Sequence, residues 1–207
     1  MSAPATETVG GLVLSRRQSG ERFLLLALLS PEKGVLNFLL RDSARPDAAR
    51  PDLFDLAEVT LTAPRNAGPR FGSNYRILRR LDALGADIAR LDAACRLARV
   101  IAGNPIPDES APALFALFGR ALEAIASRPR PDAAYIKALW QIVRGEGFPV
   151  REQWLASLPP VDAAALRATL RQPLDAVAAP PAEVGQLTLR LERWLAGECH
   201  FSIPART

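Results

Sequence analysis

Apolar and polar positions change rhythm once along this chain. Over roughly the first 80 residues they form short runs divided by turn chemistry, the pattern of a small sheet or barrel. Five runs stand out: Gly11 to Arg17, Arg22 to Leu29, Gly34 to Arg41, Asp55 to Thr62 and Tyr75 to Leu81. Gln-Ser-Gly-Glu separates the first two and Ser-Pro-Glu-Lys-Gly the next two, both made of residues that pre-set or permit turn dihedrals. In the fourth run Val59 and Leu61 alternate with Glu58, Thr60 and Thr62, so one face meets water. The Pro-rich connections DSARPDAARPDLF and APRNAGPRFGSN follow the third and fourth runs. Five strands with these two long connections fit an OB-type barrel, a fold that presents an open face and loops to oligonucleotides.

From about Leu84 the apolar spacing becomes i, i+3, i+4, and helices are expected to the end of the chain. Ile88, Leu91, Cys95, Ala98 and Ile101 or Ala102 make a first apolar stripe, stopped at Gly103-Asn104-Pro105. A second helix begins near Ser110, with Pro112 in its first turn and Leu114, Leu117, Phe118, Ala121, Leu122 and Ile125 on its buried face. A third runs from Pro131 through Tyr135, Ile136, Leu139, Trp140 and Val143 to Gly145. A shorter stretch covers Asp162 to Leu170, and a last helix Val184 to Leu195. The expected class is α+β: a five-stranded OB-like barrel over residues 1–81 and an all-α domain over 82–207.

Composition narrows the function classes. With 49% apolar and 23% charged residues the chain is globular, neither disordered nor fibrous. The longest apolar run, Phe23 to Leu29, is far short of the roughly 20 residues that cross a bilayer. The first residues lack a basic, hydrophobic export signal, so a cytoplasmic protein is expected. Cys95 and Cys199 stand far apart, and His200 is the single histidine, so neither an ordinary four-ligand zinc site nor a catalytic triad is expected. No GxxxxGK[ST] or GxGxxG loop occurs, and the acidic residues are scattered; no enzyme activity, cofactor or metal is expected.

Charge adds an asymmetry. Residues 1–80 carry 12 Lys or Arg against 8 Asp or Glu, leaving 14 against 14 for the remainder, so the whole net +4 is N-terminal. A polyanion partner for the barrel is the reading this favours, although all but Lys33 and Lys137 of the basic residues are arginine, which base composition alone can produce. Arg16, Arg17, Arg41, Arg45, Arg65, Arg70 and Arg76 lie on expected strands or their loops and can pair with phosphates. Phe71 and Tyr75, flanked by arginines in PRFGSNYR, offer either a stacking surface for unpaired bases or ordinary barrel packing, and the residues leave both open. Trp140, Trp154 and Trp194 sit in helical surroundings and are expected to be packing anchors.

Three segments carry a family resemblance: GLVLSRRQSGERFLLLALLSPEKGVLNFLLRDSARP, LFDLAEVTL and YIKALWQIVRGEGFPV. In their order, barrel first and then a helix ending in a Phe-Pro turn, they resemble the RecO family of recombination mediators. The resemblance implies a DNA repair and recombination mediator that binds single-stranded DNA and assists strand annealing or recombinase loading. It implies as partners single-strand-binding protein, through its acidic C-terminal tail, and RecR-like and RecA-like proteins. For the tail, Phe118 and Ile125 with Arg128 and Arg130 are the candidate contacts. The chain departs from the family where the cysteine-rich zinc element would follow the Phe-Pro turn. It departs again after the third strand, where Asp42, Asp47 and Asp52 alternate with Arg41, Arg45 and Arg50. The alternative is therefore an adaptor that keeps the architecture without binding DNA.

Overall fold

In the computed structural model, which describes residues 5–42, 50–63 and 68–203, the chain forms two compact units. One comprises residues 1–81 with 106–116, the other 82–105 with 117–207.

The first unit is a closed barrel of five strands: β1 (Thr6–Ser19), β2 (Phe23–Ser30), β3 (Gly34–Arg41), β4 (Leu56–Thr62) and β5 (Arg70–Arg79). Their order around the wall is β1-β2-β3-β5-β4, with β4 returning to β1. Every pairing is antiparallel except β3 with β5, which is parallel and only three residues long. Alternation fills the interior: Val9, Leu24, Leu26, Leu28, Leu36, Phe38, Leu40, Val59 and Leu61 are buried together. Two glycines let the wall close. A Cβ on Gly11 would stand 2.4 Å from the Leu29 carbonyl oxygen, and one on Gly72 would stand 2.7 Å from the Phe38 ring. Any side chain at either place would push strands apart.

The barrel is larger than the turn signals suggest. β1 starts at Thr6 rather than Gly11, because Thr6 to Leu12 pair with β4. β5 starts at Arg70 rather than Tyr75, because Phe71 and Gly72 pair with both β3 and β4. Phe71 is therefore on a strand and not in a loop.

The second unit is helical: α1 (Ile88–Gly103), α2 (Ala111–Ser127, from Leu117 onward), α3 (Pro131–Gly145), α4 (Leu155–Ser157), α5 (Pro160–Arg171) and α6 (Pro181–Glu198). α3 is central, with nine buried residues from Ala133 to Val143, and it packs on α1 and α6. Phe118, Leu122 and Ile125 of α2 are fully buried, as their spacing anticipates. The α1 stripe is different. Its buried face is Ala93, Ala94, Leu97, Ala98, Val100 and Ile101, whereas Ile88 is 86% exposed and Leu91 is exposed as well. Ala98 and Ile101 of the expected stripe are buried as expected, but its first turns are not, because small alanines, weak apolar signals, make the contact there. A π-helical turn, Val150–Trp154, also precedes α4 unannounced by periodicity; it buries Trp154 beside Trp140, ring centroids 6.1 Å apart. Trp194 is half-buried.

Candidate nucleic-acid interface

Register across the barrel wall decides which sequence candidates meet. Arg17 of β1 pairs with Leu25 of β2, Leu25 with Leu39 of β3, and Leu39 with Phe71 of β5. Residues paired across strands face the same side, so these four form one outward row at strand spacings of about 4.8 Å. In the adjacent row Phe23 pairs with both Ser19 and Arg41. The Phe23 and Phe71 rings meet edge to face, centroids 5.9 Å apart. The result is an outer face with a two-ring aromatic centre, Phe71 being 45% exposed, and arginines in both of its rows. No carboxylate of the described residues lies within ion-pair distance of Arg17 or Arg41, so both cations face solvent without a partner.

Other candidates go elsewhere. Arg16 pairs with inward-facing Leu26 and so lies on the opposite side of its strand from Arg17, exposed there. Arg76 is ion-paired with Glu58 across β4 and β5. Arg70 stands at the start of β5, 3.6 Å from Glu7. Tyr75 takes the packing alternative: its ring packs against the barrel core, and its hydroxyl donates to Asp55 over 3.4 Å. Burial, then the Asp55 charge, raise its phenol well above the ordinary value. Asp55 itself is buried, accepts from the Asp52 N–H at 2.9 Å and lies 3.3 Å from Arg80; burial, the largest influence, raises its carboxyl pKa. Arg45 and Arg65 lie outside the described residues.

Phe23 is the residue that reading the sequence misses. It opens the continuous run FLLLALL, in which apolar residues on both faces hide the alternation. The signal that finds it is parity: Leu24, Leu26 and Leu28 all point inward, which turns Phe23 outward with Leu25.

In the helical unit the expected tail contacts also redistribute. Phe118 and Ile125 are fully buried, so they hold α2 to the bundle and present nothing to a partner. Arg130 grips Asp132 through two hydrogen bonds of 2.9 and 2.8 Å and donates to the Val177 carbonyl at 3.0 Å; the Asp132 bonds hold its guanidinium above the ordinary value. Arg128 pairs with Asp175 at 2.8 Å. A groove of about 140 Å³ between α2 and α3 is the better placed feature, floored by Leu117, Ala121, Ala124, Ala134 and Ala138. Arg120 and Lys137 flank it, neither within ion-pair distance of a carboxylate among the described residues. Lys137 donates to the Gln172 carbonyl, and burial lowers its pKa.

Among the described residues no group of three His, Cys, Asp or Glu side chains could hold a metal ion. Burial pushes both the Cys95 and the Cys199 thiols up, away from the reactive thiolate. Among the described residues no helix is long and apolar enough to cross a membrane.

Comparison with known proteins agrees with this architecture. The DNA repair protein RecO of Synechococcus elongatus is 26% identical over 148 residues, which is 69% of this chain and 55% of that protein. RecO of a second Synechococcus strain matches over the same span with the same identity. Over that region the chain is similar to RecO, at an identity that marks it as divergent. No family model matches it. The aligned region spans about half the length of the RecO relatives, so the RecO likeness rests on that shared part alone.

Proposed function

We propose that this RecO-like chain serves DNA repair as a non-enzymatic recombination mediator, binding single-stranded DNA on the outer face of its barrel. The observation that carries this reading is the juxtaposition of the Phe23 and Phe71 rings with two unpaired guanidiniums, Arg17 and Arg41. An exposed aromatic surface stacks unpaired bases at about 1–3 kcal/mol each, and arginine holds the phosphates that follow. Binding of this kind is tolerant of sequence and falls steeply with salt, because counterions are released. The RecO name of the relatives supports the repair role.

The helical unit receives a protein partner. An acidic apolar peptide, such as the C-terminal tail of single-strand-binding protein, suits the alanine-floored groove with Arg120 and Lys137 at its edge. Two weak contacts made together raise effective concentration on coated DNA, the condition for strand annealing or for handing over to RecR-like and RecA-like partners. All of this belongs to the cytoplasm.

Fluorescence anisotropy with a labelled oligothymidylate over a series of salt concentrations tests the DNA reading. Phe71→Ala is expected to weaken binding by about 1–3 kcal/mol, and Arg17→Ala and Arg41→Ala each to flatten the salt dependence. Negligible wild-type binding at low salt overturns it. A second reading, an adaptor without nucleic-acid binding, is favoured by the carboxylates set against Arg70, Arg76 and Arg80. Its signature is capture of the acidic peptide, lost in Arg120→Ala with Lys137→Ala, by a chain that ignores the oligonucleotide.

A further inference from the structure

Three segments of the barrel bring charge to one place: Glu7 early in β1, Lys33 in the turn between β2 and β3, and Arg70 at the first residue of β5. Glu7 pairs in register with Leu61 and Arg70 with Phe38, and both partners face inward, so Glu7 and Arg70 stand on the inner side of the wall at its rim. Lys33 donates from Nζ to Glu7 Oε2. That bond, the largest influence, holds the Glu7 carboxyl below its ordinary value. Arg70 Nη1 is 3.6 Å from Glu7 Oε1, beyond hydrogen-bond reach. The Nη1 atom is buried and has no hydrogen-bond partner among the described residues. A buried donor left without an acceptor is costly, and one anionic oxygen would relieve it. Among the described residues two cations here answer to one carboxylate.

We propose that Lys33 and Arg70 form a seat for a single phosphate of bound nucleic acid, in which Glu7 holds the two cations until the phosphate displaces it. This rests on the single-stranded DNA reading above and extends it by naming a phosphate contact and its built-in competitor. Phe71 follows Arg70 directly but faces outward, so a strand whose base stacks on that ring must turn over the rim of the wall to set a phosphate in the seat. The placeholder also keeps the seat ordered when empty, since Lys33 has a fixed partner in the free protein.

The test is anisotropy titration of the full chain with oligothymidylate across salt, comparing wild type, Lys33→Ala, Glu7→Gln and Phe71→Ala. Lys33 is in an exposed turn, so its removal leaves the barrel intact. Lys33→Ala is expected to reduce the logarithmic salt slope by about 0.7, the value of one phosphate contact on a single strand. Glu7→Gln is expected to tighten binding roughly two- to fivefold, the range an exposed ion pair spans. Wild-type slope in Lys33→Ala, or no tightening in Glu7→Gln, overturns the seat; if Phe71→Ala still weakens binding, the DNA reading stands without it. A wild type that does not bind the oligonucleotide removes both.

Discussion

The two units spend their arginines differently. In the helical unit Arg96 sits inside: its guanidinium lies 4.2 Å over the Tyr135 ring and pairs with Glu192, whose carboxylate is 6% exposed and also accepts from the Tyr135 hydroxyl at 2.7 Å. Arg130 with Asp132 and Arg190 with Asp162 repeat the pattern nearer the surface. In the barrel unit the main core cluster is aliphatic and aromatic, and most cations of the described residues lie at the surface, some answered by carboxylates and others, such as Arg17 and Arg41, by none among the described residues. The same residue type is cement in one unit and available surface in the other. Desolvation explains the difference: a buried guanidinium must find its anion inside, whereas an exposed one can wait for it.

The sharpest way to break this contrast is Glu192→Ala. It leaves Arg96 the half-exposed Asp92 at 3.8 Å in place of its buried partner, takes an acceptor from the Tyr135 hydroxyl, and is expected to destabilise the protein by about 3–5 kcal/mol, read by urea unfolding. Replacing both charges and the hydroxyl, Arg96→Leu with Glu192→Leu and Tyr135→Phe, should recover most of that loss, because the buried charge and the group that bonded to it are removed together. If the single substitution costs no more than a surface pair, Arg96 is not cement.

Next in size is Gly11→Ala in the barrel. The new methyl would meet the Leu29 carbonyl, which is backbone and cannot swing away, so about 1–3 kcal/mol of stability is expected to go. Gly11 sits where β1 passes from pairing with β4 to pairing with β2. The two units thus fail by different routes, one through an orphaned charge and the other through backbone crowding.

How far these features were legible in the sequence follows the same divide. The five strands announced themselves because turn residues separate them and their inner faces are strongly apolar. The helical order was readable wherever large side chains make the contact, as in α2 and α3, and the buried face was misread only in the first half of α1, where alanines make it. Which arginines share a face was not readable at all. It depends on cross-strand register, on the bulge between Val13 and Ser15, and on how β3 and β5 close the barrel, none of which leaves a local signal. Arg16 and Arg17 are neighbours in sequence and sit on opposite sides. Glu7 escaped notice because strand β1 extends beyond its turn-bounded run, and Phe118 and Ile125 look like groove residues only until α2 is packed.

A smaller effect probes Asp55, a carboxylate that the barrel buries. Burial raises the Asp55 pKa above its ordinary 3.8. An acid raised in the folded state lends stability below its unfolded pKa, and that stability is lost as pH rises through the folded value. The wild type is therefore expected to lose ground to Asp55→Asn as pH climbs from below 3.8 through the raised value, each unit of displacement being worth about 1.4 kcal/mol. Thermal unfolding of the two proteins across acid pH reads this; a constant difference would mean that the Asp52 N–H and Arg80 fully offset burial.

The smallest effect expected on stability is the most informative about use. Arg17 and Arg41 touch no carboxylate among the described residues, and each lies on a strand whose register is set by aliphatic neighbours. Arg17→Ala with Arg41→Ala should therefore leave the unfolding free energy from urea titration within about 0.5 kcal/mol of wild type. Removing two like charges from one face even relieves some repulsion. The same double variant should lose affinity for oligothymidylate and show a salt slope lower by about 1.4, two phosphate contacts at about 0.7 each. Stability kept and binding lost is what surface arginines held for a ligand produce; stability lost with binding would place them with Arg96, as cement, and erase the distinction between the units.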